Sequence, residues 1–247
     1  MATKNQQLLV AIDNNDITEV FRLLELGADN IDESLLRAVA NNNHDIADLM
    51  LNLGATNINK ATLLAASKGK INILKKLLKE AHCPDLNGIL EIAAAKGYSR
   101  ITELVISKGA NDYNKAMSNA AGYGHLNIVK RMVELGANNF NETMADAALF
   151  GHLNIVKLMV KLGANNFNET MTNAASGGYL DIVKHMVELG ANNFNETMAV
   201  AAYYGYIDIV SLMIDKGANN YKDALFAATK RNHLDIINLI TQLVKEN

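Results

Sequence analysis

Cysteine and proline each occur once in this 247-residue chain, tryptophan is absent, and neither sign of charge dominates. The single cysteine, Cys83, excludes an intramolecular disulfide and a cysteine-rich zinc site, and it fits a reducing compartment. The formal net charge is −3, from 23 Lys and Arg against 26 Asp and Glu, so composition points neither to a polyanion partner nor to an acidic solvating tail. No run of about 18 apolar residues occurs, and the opening "MATKNQQLLVAIDNND" lacks the apolar stretch of a signal peptide. The expectation is a cytoplasmic or nuclear protein with no membrane and no nucleic-acid partner. At 49% hydrophobic and 20% charged residues, the chain has the composition of a globular protein able to bury a sizeable core. Three Asn-Glu-Thr triplets, at Asn141, Asn168 and Asn195, match the N-glycosylation pattern; without a secretory signal they read instead as helix N-caps.

What the chain has is a period. The nine letters "GANNFNETM" begin word for word at Gly136, Gly163 and Gly190, a unit of 27 residues. The turn glycine recurs at Gly27, Gly54, Gly109, Gly136, Gly163, Gly190 and Gly217. The phase slips once, by a single residue near Ala81, where "EAHCPDLNG" replaces the glycine turn and carries Pro84. A second position reads Asn15, Asn42, Gly69, Gly97, Gly124, Gly151, Gly178, Gly205 and Asn232. Glycine and asparagine tolerate a left-handed backbone, which a helix needs just past its C-terminus, so each unit holds two helices. On that basis asparagine should be tolerated better than a β-branched residue at Gly178.

Apolar spacing assigns the faces. Met144, Ala147, Ala148 and Gly151 fall on one stripe of the first helix at i, i+3, i+4 and i+7. The middle alanine recurs as Ala11, Ala38, Ala65, Ala93, Ala120, Ala147, Ala174, Ala201 and Ala228, a small residue wherever neighbouring helices approach closely. The second helix is expected to open at Asn154, with Asp181, Asp208 and Asp235 at the matching place, and it continues as the apolar run Ile155, Val156, Leu158, Met159 and Val160. Glu19 and Arg22 stand where later units carry Ile155 and Leu158, as suits a cap with water on one side. One helix pair cannot hide its apolar face; stacked pairs bury it against one another.

These residues resemble a known family. "AALFGHLNIVKLMVKLGAN", "AASGGYLDIVKHMVELGAN" and "AGYGHLNIVKRMVELGAN" are similar to the ankyrin repeat, whose pattern runs AAxxGHxxIVxxLLxxGA. Ankyrin units run to about 33 residues; the shorter unit here lacks the stretch for the β-hairpin finger and the TPLH turn, with "NETM" in its place. Shortened units of this kind are similar to arrays encoded by large DNA viruses, which would place the protein in a host cell. The resemblance implies an all-α, ankyrin-like α-solenoid of about nine stacked helix-turn-helix repeats without hairpin fingers. The expected division is one repeat domain over residues 1–247: an N-terminal cap at 1–26, internal repeats at 27–53, 54–81, 82–108, 109–135, 136–162, 163–189 and 190–216, and a C-terminal cap at 217–247. It also implies a non-enzymatic scaffold, monomeric and without cofactor, that binds a partner protein; an assembly protein built from a regular array is the alternative.

A search for chemistry agrees. Three of the six histidines, His125, His152 and His233, occupy the ankyrin Gly-His position, and Tyr98, Tyr179 and Tyr206 replace them elsewhere, which suits packing and breaks any metal ladder. His82 and Cys83 sit in the irregular unit, where a small buried thiol is expected. Met117, Met144, Met171 and Met198 read as core. No phosphate loop, paired-carboxylate pocket or nucleophile elbow is visible, so catalytic, cofactor and metal residues are all expected to be absent. Lys60, Lys68 and Lys70 come from a first helix and its turn, Lys75, Lys76 and Lys79 from a second helix, so these lysines do not form one phosphate track. Docking residues are expected where near-identical units diverge on the outward face of the first helix: Asn119 and Tyr123; Asp146, Leu149 and Phe150; Asn173, Ser176 and Gly177; Val200, Tyr203 and Tyr204. Small Ser176 and Gly177 between bulky pairs suggest an aromatic-walled notch, rimmed by Glu142, Asp146, Glu169 and Glu196.

Overall fold

The computed structural model describes residues 2–81 and 84–246; His82 and Cys83 lie outside the described residues. The helices group into two compact units, Met1–Asp112 and Tyr113–Asn247. The first unit contains four helix pairs: α1 (Lys4–Asp13) with α2 (Ile17–Glu25), α3 (Ile31–Asn41) with α4 (His44–Asn52), α5 (Ile58–Ser67) with α6 (Ile71–Glu80), and α7 (Leu86–Ala95) with α8 (Ser99–Ile106). The second contains five: α9 (Tyr113–Gly122) with α10 (Leu126–Glu134), α11 (Phe140–Leu149) with α12 (Leu153–Lys161), α13 (Phe167–Gly177) with α14 (Leu180–Glu188), α15 (Phe194–Tyr204) with α16 (Ile207–Asp215), and α17 (Tyr221–Arg231) with α18 (Leu234–Glu246). Among the described residues there is no strand. Within each unit, successive first helices pack on one another and each packs on its own second helix, an ankyrin-like all-α solenoid arrangement.

The repeating alanine lets the first helices approach this closely. Ala120, Ala147, Ala174 and Ala201 are fully buried in the second unit, as are Ala38, Ala65 and Ala93 in the first. Met117, Met144, Met171 and Met198 fill the layer beside them, and Ile155, Val156 and Met159 with their equivalents form the layer under the second helices. Each second helix begins one residue before the expected place: α12 starts at Leu153 with His152 at the cap, so Asn154 is its second residue. Asp181 and Asp208 still lie in the first turn, where a negative charge complements the helix dipole.

The triplet asparagines are not N-caps. α11 is capped by Asn139, whose side chain makes no bond to the first-turn backbone: its Oδ1 accepts from the Thr143 hydroxyl at 3.4 Å, and its amide donates to Glu142 Oε2 at 3.1 Å and Ser118 Oγ at 2.9 Å. Asn141 lies inside the helix and reaches the next loop: its Oδ1 accepts the Asn165 backbone N–H at 2.7 Å, and its Nδ2 donates to Asn165 Oδ1 at 3.2 Å. The same rung joins Asn114 to Asn138, Asn168 to Asn192 and Asn195 to Asn219. In the first unit Asn5 takes the N–H of Asp29, Asp32 that of Thr56, and Asn87 that of Asn111. A short loop with no hairpin has backbone donors to satisfy, and this column of side chains satisfies them from the preceding repeat.

The mid-repeat turn answers to two constraints, of which backbone conformation is one. Gly178 has φ +80°, but a Cβ built there would also lie 2.4 Å from the Tyr206 ring. A Cβ on Gly151 would lie 2.2 Å from the Tyr179 ring, and on Gly124 and Gly205 it would lie 2.6 Å from the imidazoles of His152 and His233. The ring at the Gly-His position of one repeat thus covers the turn glycine of the repeat before it. Asparagine is found where no ring arrives: the residue at the ring position of the next pair is Asn43 after Asn15 and Lys70 after Asn42, and Asn232 belongs to the last pair described. An asparagine at Gly178 therefore meets a second constraint besides the backbone. The left-handed turn would accept it; the space is taken.

A candidate protein-docking face

Nine of the eleven residues picked out from the sequence lie in the first helices of the second unit, and Tyr123 and Phe150 lie just past the ends of α9 and α11. Tyr123 is 65% exposed, Phe150 54% and Tyr204 51%, with Leu149 also exposed. Asn119, Asp146, Asn173, Ser176, Gly177, Val200 and Tyr203 are half-buried. Phe150 lies beside Gly122 of the preceding repeat, where an added Cβ would stand 3.6 Å from its ring, so part of the ring packs while the rest meets solvent.

Gly177 is not the floor of an open notch. A Cβ there would meet the Cε2 edge of Tyr179 at 2.3 Å and the carbonyl oxygen of Leu149 at 2.8 Å. Tyr179 is held between two glycines, with its Cε1 edge against Gly151 and its Cε2 edge against Gly177. Ser176 donates its hydroxyl to the Asn173 carbonyl at 2.8 Å. Smallness at these two places serves the packing of the tyrosine and the helix end.

The concavity lies one repeat further on, between α15 and α17. A cavity of about 600 Å³ is lined by Asn195, Glu196, Ala199, Val200, Tyr203, Tyr204, Asn220 and Asp223. The two tyrosine rings meet edge to face, centroids 5.0 Å apart and planes at 84°, a favoured aromatic geometry. Arg231 of α17 places its guanidinium carbon 4.5 Å from the Tyr203 ring centroid and donates to the Tyr203 hydroxyl, fixing that ring. The sequence reading reached Val200, Tyr203 and Tyr204 and missed Asp223 and Arg231. Asp223 occupies the register of Glu142, Glu169 and Glu196, a signal present in the sequence. Arg231 carries no such signal, because its role depends on the ring of the preceding helix.

Asp146 lies on the same face, two repeats before Tyr204. Burial, and then the charges of Glu142 and Glu169, push its carboxyl above the usual carboxylate range, against a smaller opposing effect of the Ser118 hydroxyl. The histidines at the turn are engaged with backbone: His152 Nε2 lies 3.1 Å from the Gly122 carbonyl and His233 Nε2 lies 3.0 Å from that of Tyr203. Among the described residues, no group of three or more His, Cys, Asp or Glu side chains is placed to hold a metal ion. In the first unit the lysines sit among opposite charges, Lys76 pairing with Asp48 at 2.5 Å and Lys79 sharing a cavity wall with Glu80. No described helix is long and apolar enough to cross a membrane.

Comparison with curated proteins finds no match. A family model for ankyrin repeats in three copies matches residues 90–170 and again 171–246, well over half of the chain. With the stacked helix pairs, the left-handed turns and the rings over the mid-repeat glycines Gly69, Gly124, Gly151, Gly178 and Gly205, this places the chain in the ankyrin-repeat family, whose repeats generally mediate protein–protein interaction and whose members are typically non-enzymatic scaffolds.

Proposed function

We propose that the protein is a non-enzymatic scaffold that binds a partner protein through the outward face of the first helices in its second unit. The observation that carries this reading is the exposure of Tyr123, Phe150 and Tyr204 on one face of a regular helix stack, two of them among residues that differ between otherwise identical repeats. Large rings held at fixed positions by a rigid scaffold anchor interfaces at low entropic cost. Mixed charge around the lysines of the first unit gives nucleic acid no comparable track, and a monomer is the state this reading expects. The test is capture of a partner by the full chain, followed by the same measurement on variants. Phe150→Ala and Tyr204→Ala are each expected to weaken binding by about 1–2 kcal/mol, while Lys75→Ala leaves it unchanged. Unchanged affinity in both aromatic variants, with helicity and melting intact, would place the surface elsewhere.

An assembly protein is the second reading, and one observation favours it. Phe226 is 71% exposed on the last first-helix, at the register position that Ala199 and Ala145 hold half-buried or buried in earlier repeats, and Leu234 and Val244 of α18 are exposed beside it in sequence. Self-association in sedimentation, abolished by Phe226→Glu, would select this reading over the monomeric scaffold.

A further inference from the structure

Charge is segregated across the second unit. One register position of the first helices reads Glu142, Glu169, Glu196 and Asp223, all exposed, while one position of the second helices reads Lys130, Lys157 and Lys184, also exposed. None of these four carboxylates is in a salt bridge among the described residues. Glu196 and Asp223 are instead oriented by neutral amides, from Asn193 at 3.1 Å and Asn220 at 2.5 Å. Both then contribute to the cavity between α15 and α17, whose lining holds two carboxylates, two tyrosines and no cation.

Resting on the docking-face reading above, we propose that the cavity lined by Glu196, Tyr203, Tyr204 and Asp223 is a pocket for an arginine side chain presented by an extended segment of the partner protein. Three features of the lining select arginine. A planar guanidinium can lie flat on an aromatic ring, and Arg231 already stands over Tyr203, which leaves the half-exposed Tyr204 as the ring open to a partner. The forked donors of a guanidinium can engage two carboxylates at once, whereas a lysine ammonium meets them as a point charge. Ala199 and Val200 form an apolar wall for the methylene stem, in the manner of long cationic side chains that bury the stem and leave the head with polar groups. At about 600 Å³ the cavity holds more than one side chain, which suits an extended segment. The exposed acidic column of α11 and α13 continues the same electrostatic character along the face and steers a basic segment toward it.

The test uses the full chain and three acetylated, amidated tripeptides, Gly-Arg-Gly, Gly-Lys-Gly and Gly-citrulline-Gly, with tyrosine ring signals followed by NMR. The arginine peptide is expected to shift Tyr203 and Tyr204 saturably, the lysine peptide to bind several-fold more weakly, and the uncharged citrulline peptide to leave both rings unmoved. In the double variant Glu196→Gln with Asp223→Asn, both near-isosteric and exposed, arginine binding should weaken by about tenfold, the combined effect of two exposed charge pairs of about 1 kcal/mol or less each. No saturable shift, equal shifts from citrulline, or unchanged affinity in the double variant would overturn the pocket. The two proposals fail separately. If the arginine peptide binds as described while a captured partner is indifferent to Phe150→Ala and Tyr204→Ala, the docking-face reading falls, and the cavity remains an arginine site for a ligand other than that partner. If the partner needs Phe150 and Tyr204 but the arginine peptide binds nowhere on the chain, the pocket falls and the face stands.

Discussion

The two units build the same helix pair with different turn chemistry. In the second unit every mid-repeat turn from Gly124 to Gly205 is a glycine covered by the ring of the following repeat, His152, Tyr179, Tyr206 or His233. In the first unit two of the turns are Asn15 and Asn42, with φ of 54° and 62°, and Gly69 has the ring of Tyr98 close by. Both residue types satisfy the left-handed backbone, so conformation alone does not explain which is used. The neighbour's side chain does. A glycine stands where a ring takes the space of a Cβ, and an asparagine where the next repeat supplies a smaller or flexible residue.

The most sensitive place to break this pattern is Gly151. Its neighbour Tyr179 has its other edge against Gly177, which limits how far the ring can swing aside. Gly151→Asn is expected to cost about 2–3 kcal/mol, the range of overpacking a tightly packed site. Asn42→Gly in the first unit, with no ring over it, should stay within about 0.5 kcal/mol. Chemical denaturation of each single variant measures the contrast. A double-mutant cycle with Tyr179→Ala isolates its cause, since removing the ring should restore much of the loss at Gly151. Equal costs at Gly151 and Asn42 would mean that backbone conformation is the whole account.

A second contrast concerns the asparagine rungs. Asn168→Ala removes the acceptor of the Asn192 backbone N–H, a bond of 2.7 Å, and leaves that donor to water at an exposed loop. The expected cost is about 1 kcal/mol, the net worth of one hydrogen bond, with faster amide exchange at Asn192 as the local signature. Alanine at Lys222, which stands at the rung position of α17 and makes no rung bond among the described residues, should change stability far less.

The period, the two helices per unit and the buried faces are legible in the sequence because each depends on residues within one repeat: a glycine past a helix end, alanines and methionines at helical spacing. What is not legible in the same way is whatever one repeat does to the next. Asn141 follows a turn and precedes an apolar run, which reads as a cap when only its own helix is considered; its partner is Asn165, in the following loop. The column Asn5, Asn59, Asn87, Asn114, Asn141, Asn168 and Asn195 was there to be noticed, with Asp32 its one acidic member. The docking face shows the same division. The exposure of Phe150 and Tyr204 follows from a helical wheel, but the cavity beside Tyr204 needs Asp223 and Asn220 from the next pair, and Gly177 looked like empty space until Tyr179 was placed against it.

The smallest effect separates the units by pH. Asp32 stands in the rung column of the first unit, and hydrogen bonds from the Thr56 hydroxyl and backbone, and from the Asn57 backbone, hold its carboxyl below the usual range. A group that is more acidic in the folded chain adds stability above its unfolded pKa, and that contribution is lost as the pH falls through its folded value. Asp146 in the second unit is the reverse case: its carboxyl is raised chiefly by burial, so the folded chain holds the proton more tightly than the unfolded one. Its ionised form weakens the fold, and the penalty appears as the pH rises from the ordinary carboxylate value through the raised one. Asp146→Asn should therefore raise the melting temperature at neutral pH, with the gain vanishing in acid. Asp32→Asn should flatten the acid loss of the first unit, since an amide keeps accepting the Thr56 N–H after a carboxyl has been protonated. Residue-resolved amide exchange across the acid range follows both units in one sample, through Thr56 and Asn57 in one and the residues around Asp146 in the other. Protection that falls together in both units as the pH drops, with neither substitution altering it, would show that these carboxylates are too well solvated to matter and that the opposite shifts have no consequence for stability.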